Sequence, residues 1–255
     1  MTTAGVLLRK ELQESWRTSR WLVIGIVALL FGLASPLLAR YIVEILRAVG
    51  GDQLQGLPLP PPDVPSALGQ YLKNMSQIVF LIGILLAMGS VAPEKERGTA
   101  ATVLSKPVSR LSFLLSKYVA LLIVVGSALA LGAIGAYYYT WVLFQSAPPL
   151  GPFLALNGLA FAYLALLMAV TFLASALLRS QAAAGAIGFG VFVLLSIFGA
   201  FPLGDTYLPP ALLTWAGHLA ANDTTYTAWG ALIVTLAGIV ACVALAWTVF
   251  RRQEV

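Results

Sequence analysis

One histidine, His218, and one cysteine, Cys242, are the whole supply of imidazole and thiol in this chain of 255 residues. A zinc site takes three or four protein ligands, so neither residue makes a metal centre with its own kind. No CxxC, HExxH or GxSxG spacing occurs, and no GxxxxGK[ST] loop is present to cradle a nucleotide phosphate. His218 lies between apolar runs, beside no acid cluster, and reads as an interfacial aromatic. Cys242 lies inside an apolar run. The polar residues within such runs are Asn157, Thr171, Ser175 and Ser196, and each reads as a helix-packing group. One stretch does concentrate charge, residues 93–117: PEKERGTAATVLSKPVSRLSFLLSK. Pro93 marks the end of an apolar run there. Residues 94–105 suit a short helix that Pro107 stops, and Ser109 is placed to N-cap the helix that follows.

These residues need a scaffold, and composition says which kind. The chain is 60% hydrophobic and 10% charged, against about 25% charged in a soluble domain, with mean hydropathy +0.90. A soluble globule and a disordered chain are both excluded. The net charge of +5 reflects membrane sidedness, not nucleic-acid binding. Six apolar runs, 21–39, 76–92, 118–144, 153–178, 182–201 and 228–250, are each about long enough for a ~30 Å hydrocarbon core. The expectation is an all-α polytopic membrane protein in one transmembrane domain over 1–255.

Twelve of the fifteen Lys and Arg residues fall at the two termini and between runs 2 and 3 or 4 and 5. The positive-inside rule then puts both termini and residues 93–117 in the cytoplasm. Residues 1–20 place Ala4, Leu8, Leu12 and Trp16 four apart, with Arg9, Lys10, Gln13, Glu14 and Arg17 opposite. That pattern predicts an amphipathic helix lying in the headgroup layer. The loop of about 40–75 contains a proline run and reads as a stiff connector. The segment 202–227 predicts short helices at the outer interface, too short to span. Small residues recur four apart in Ala128, Gly132, Ala136 and in Ala182, Ala186, Gly190. Such faces let helices approach closely, within one chain or between copies.

The stretch Glu94, Gly98, Thr99, Leu104, Pro107, Val108, Ser109, Arg110 and Lys117 resembles the signature of the ABC-2 class of ATP-binding-cassette permeases. Three further features are similar to that class: the N-terminal RKELQESWR, the six-run layout with both ends inside, and the basic tail FRRQEV. The resemblance implies an elbow helix over 1–20 with Leu8, Leu12 and Trp16 in the interface. It implies a coupling helix over 94–105 that docks on a separate ATPase subunit. Glu94, Arg97, Gly98, Thr99, Leu104, Pro107, Ser109 and Arg110 would then serve ATPase coupling. It further implies a re-entrant outer segment over 202–227 and a second permease copy, identical or similar. The setting would be a prokaryotic inner or plasma membrane, with ATP and magnesium bound by the partner and no cofactor in this chain.

The function expected on this basis is the permease subunit of an ATP-driven transporter, an exporter, and not an enzyme. A secondary transporter would need charge or broken helices at mid-membrane, and no run contains Asp, Glu, Lys, Arg or His. A non-transporting assembly or maturation factor of the same fold is the other alternative. One branch of the class serves copper-centre maturation, but no Met, Cys or His cluster for copper stands in this chain.

Overall fold

The computed structural model describes residues 3–50, 61–96, 109–199, 201 and 204–252. Among these the chain is all helix, with no strand and six helices long and apolar enough to cross a membrane. In chain order they are α1 (Thr3–Arg17), α2 (Arg20–Gly50), α3 (Val64–Asn74), a π-helical turn (Met75–Val79), α4 (Phe80–Met88), α5 (Ala92–Glu96), α6 (Arg110–Phe144), α7 (Leu150–Leu177), α8 (Gln181–Gly199), α9 (Gly204–Tyr207), α10 (Ala211–Ala220) and α11 (Trp229–Arg252).

The helices outrun the apolar stretches that announce them. Span 2 begins at Val64, where Asp63 accepts from the Ser66 amide and Ser66 bonds back to the Asp63 backbone, a capping box with Pro65 beside it. Span 3 begins at Arg110, capped by the Ser109 hydroxyl on the Ser112 amide at 3.1 Å. At the other end of span 2, the helix stops at Gly89 and not at Pro93. Pro93 instead sits in the first turn of α5, where its missing N–H costs nothing.

The core forms around α7. Its apolar window is 78% buried, against 11% for α11, so α7 is the central post and α11 a peripheral one. Met168, Leu164, Phe172 and Tyr163 fill the centre, with the Phe80 ring tilted against that of Tyr163, centres 5.6 Å apart. On the far side α2 and α6 cross at van der Waals distance through Ala28, Gly32 and Gly132. The stripe Ala128, Gly132, Ala136 is therefore an internal seam, whereas Ala182 and Ala186 are exposed. Between α8 and α11 the chain forms α9 and α10, and Leu212 and Trp215 of α10 are buried at one end of the bundle.

Beyond α10 the chain turns through Asn222, left-handed at φ 60°. That turn brings Asp223 to the ring of His218, 2.8 Å from Nδ1, and Tyr226 stacks on the imidazole at 4.6 Å. The histidine that sequence reading left without an acid thus has one. The Thr225 hydroxyl and amide donate to the other Asp223 oxygen at 2.6 and 2.9 Å. These bonds, with a smaller part from His218, hold the Asp223 carboxyl at about 2, below its ordinary 3.8. The sign follows: the contact's contribution is complete above pH 3.8 and lost as pH falls through about 2. Carboxyl-carbon NMR should give Asp223 a midpoint near 2, and Thr225→Val should move it up toward 3.8. A wild-type midpoint already at 3.8 would contradict the geometry.

Candidate functional site

The charged stretch is mounted at the end of the bundle where α1, α5, α6 and α7 meet. Lys117, on the inward side of α6, is only 4% exposed. Its Nζ donates to Glu11 Oε1 of α1 at 3.0 Å and to Glu94 Oε1 of α5 at 2.7 Å, and lies 5.1 Å from the Phe113 ring centre. One ammonium thereby ties three helices together. Burying it is costly unless carboxylates answer it, and here two do.

Three further clamps hold the same region. The Ser175 hydroxyl of α7 accepts from the amides of Val91 and Ala92 at 3.1 and 2.9 Å and donates to the Met88 carbonyl at 2.9 Å. Its one donor and two acceptor sites are all used, and they satisfy the backbone where span 2 breaks. Lys95 donates to the Ala176 carbonyl at 2.8 Å, at the C-terminal end of α7. There a cation also answers the negative end of the helix dipole. Arg110, first in α6, does the same for α11 through the carbonyls of Phe250 and Arg251 at 3.0 and 2.9 Å. Lys95 and Arg110, on either side of the middle of the charged stretch, are thus each tied to another helix of the bundle.

A polar cavity of about 360 Å³ opens beside the triad, walled by Lys10, Glu14, Arg20, Gln181 and Ser90. No nucleophile stands paired with a base among these groups. What the arrangement does is mechanical. Moving α5 against α1 or α6 would separate opposite charges in a poorly solvated place, so displacement at one is felt at the others.

Against the sequence-derived candidates, the placement is mixed. Glu94 points inward to Lys117, Ser109 caps α6, and Arg110 reaches across to α11. Arg97, Gly98, Thr99, Leu104 and Pro107 lie outside the described residues, as does the rest of the helix expected to residue 105. In α1, Leu12 packs on the core and Leu8 is half-buried. Trp16 is 62% exposed, its ring 4.9 Å from that of Trp21.

Sequence reasoning missed Glu11, Lys95 and Ser175 as parts of the site. For Glu11 a signal existed: it borders the apolar face next to Leu8 and Leu12, an odd place for a carboxylate with nothing to meet. For Lys95 and Ser175 no local signal exists, since their partners lie 81 to 87 residues away.

Residues 62–255 match the family described as protein of unknown function (DUF2705). The chain is 28% identical over 253 residues to the uncharacterized transmembrane protein YxlG of Bacillus subtilis, covering 97% of each. It is 28% identical over 234 residues to the probable ABC transporter permease protein NosY of Pseudomonas aeruginosa, covering 88% of this chain and 80% of that one.

Proposed function

The chain belongs to the DUF2705 family, and from that premise we propose that it is the membrane subunit of an ATP-driven transporter of the ABC-2 class, working as an exporter. Its similarity to a probable ABC transporter permease supports this reading. The observation that carries it is the anchoring of the described residues on either side of 97–108. The residues that resemble the permease signature leave and rejoin the bundle at points clamped by Glu94 with Lys117, by Lys95 with α7, and by Arg110 with α11. A displacement of Glu94, Lys95 or Arg110, the described residues on either side of that segment, would be felt at α1, α6, α7 and α11 through these contacts.

In this reading residues 94–105 dock on a separate ATPase subunit, which holds ATP and magnesium. Glu94, Ser109 and Arg110 position the docking segment, while Arg97, Gly98, Thr99, Leu104 and Pro107 belong to the docking segment itself. α1 lies as an elbow in the headgroup layer, with Trp16 outward. Both termini are cytoplasmic in a prokaryotic plasma membrane, and a second permease copy, identical or similar, completes the assembly.

The test purifies the full-length chain from its own membranes. A co-purifying subunit bearing an ATP-binding phosphate loop, and vanadate-sensitive ATP hydrolysis in the complex, are expected. Gly98→Trp should lower both recovery and hydrolysis by roughly tenfold, the equivalent of about 1.4 kcal/mol of lost contact, at unchanged membrane insertion. Recovery of no such subunit, or the same yield and hydrolysis from Gly98→Trp, would sink the proposal.

A further inference from the structure

Two helices joined by a short turn ordinarily close on each other as a hairpin. α6 and α7 are joined by only five residues, 145–149, and yet they stand apart over the half of their length nearest that turn. Between them runs a groove of about 690 Å³. Its floor is made of small residues, Gly126, Ala130, Ala133 and Gly158. Small residues facing each other in a membrane usually bring backbones together. Here they do not: no atom lies within 4 Å of where a Cβ on Gly158 would sit. The floor makes room at Gly158, and closes at its Gly126 end, where a Cβ would lie 3.3 Å from the Phe161 ring.

The walls say what the room suits. No lining residue is charged. The polar group at the floor, Asn157, is already engaged: its Oδ1 accepts from the Tyr71 hydroxyl at 2.6 Å and its Nδ2 donates to the Phe153 carbonyl at 2.9 Å. Tyr137 of α6 and Phe153 of α7 meet between the two helices with ring centres 5.3 Å apart and bound the groove on its inner side. The mouth opens sideways between Ile134 and Leu154, 66% and 61% exposed, on helices apolar enough to cross a membrane.

Dimensions separate the occupants. The groove extends over about 20 Å, from the ~1.5 Å rise of the helix residues that line it. A volume of 690 Å³ over that length is a cross-section of roughly 35 Å². A helix with side chains is about 10–12 Å across and is too wide to lie within it. A single alkyl chain does fit. We propose that this groove is a binding site for one acyl chain of a phospholipid, drawn from the leaflet on the side of residues 145–149, its headgroup beside Trp141. The inference goes beyond the transporter reading and does not depend on it.

The experiment uses the full chain in phosphatidylcholine nanodiscs containing a small fraction of phosphatidylcholine with a photoactivatable diazirine in the acyl chain. After irradiation, adducts are mapped by mass spectrometry. Labelling of 126–141 and 150–161 should exceed that of the outward face of α11 at Ile233 and Val240, which are 67% and 69% exposed, by roughly fivefold or more, as a site preferred by about 1 kcal/mol requires. Gly158→Phe fills the groove from open space, and Ala130→Leu does so from the opposite wall. Each should remove that excess and leave α11 labelling unchanged. Equal labelling of the groove and α11, meaning ordinary contact with surrounding lipid, would overturn the site. So would excess labelling that survives both substitutions, or a cysteine at 154 that cross-links fully to a second copy while the groove stays unlabelled. The assay needs neither nucleotide nor ATPase, so its failure is distinct from failure of the transporter reading.

Discussion

Lys117→Met is expected to destabilise the chain by about 3–5 kcal/mol, because it leaves two largely buried carboxylates, Glu11 and Glu94, with the cation between them gone. Methionine keeps the length and apolar stem of lysine, so packing loss is small and the charge is what changes. The measurement is the thermal midpoint of the purified chain in detergent, which should fall by roughly 10 °C. The triple variant Lys117→Met, Glu11→Gln, Glu94→Gln removes the whole charge set and should recover most of the loss. A triple variant as unstable as Lys117→Met alone would mean that the ion cluster is not what holds α1 and α5 in place. A charge reversal at Glu94, Glu94→Lys, acts on the same contact. That substitution sets an ammonium against Lys117 inside the chain, so a loss of function would not by itself report on docking, whereas Gly98→Trp avoids the triad.

The second large effect lies at the α2–α6 crossing. A Cβ on Gly32 would overlap the Gly132 carbonyl oxygen, and a Cβ on Gly132 would sit 2.8 Å from the Ala28 carbonyl oxygen. Both obstacles are backbone atoms and have no rotamer to adopt. Gly132→Val should therefore push the helices apart, at the upper end of the ~1–3 kcal/mol seen for overpacking or beyond it. A cysteine pair at positions 25 and 131, where a Cβ on Gly25 would lie 3.5 Å from Leu131 Cδ1, should cross-link in the parent and much less in Gly132→Val. Gly190→Ala is the control, since nothing lies within 4 Å of its added Cβ. If Gly132→Val shifted the thermal midpoint no more than Gly190→Ala, the seam would not be the close contact described.

Local signals were read well where the physics is local. The N-cap at Ser109 needs only a hydroxyl and three residues of helix after it, and it is found. The amphipathic spacing of residues 4–16 needs only a period of 3.6, and α1 forms there. Pro93 misled because a proline ends one helix or begins another with equal ease, and Ser175, far along the chain, settles which. His218 was read as solitary because Asn222 and Asp223 signal a break after the helix but not that the left-handed turn at Asn222 folds Asp223 back onto the ring.

By itself, the sequence determined the solvent of this protein, the number of its apolar helices and the place where charge gathers. Those properties sum along the chain, and hydropathy measures the sum. Only the tertiary structure decided which residues answer Lys117, which of two small-residue stripes is an internal seam, and that α6 and α7 part to leave a groove. The reason is the membrane. In water, burial sorts apolar from polar faces and leaves a periodic mark in the sequence. Between lipid tails the packed and the exposed faces of a helix are equally apolar. Ala128 and Ala186 look alike in the sequence, and only the arrangement of helices buries one and exposes the other.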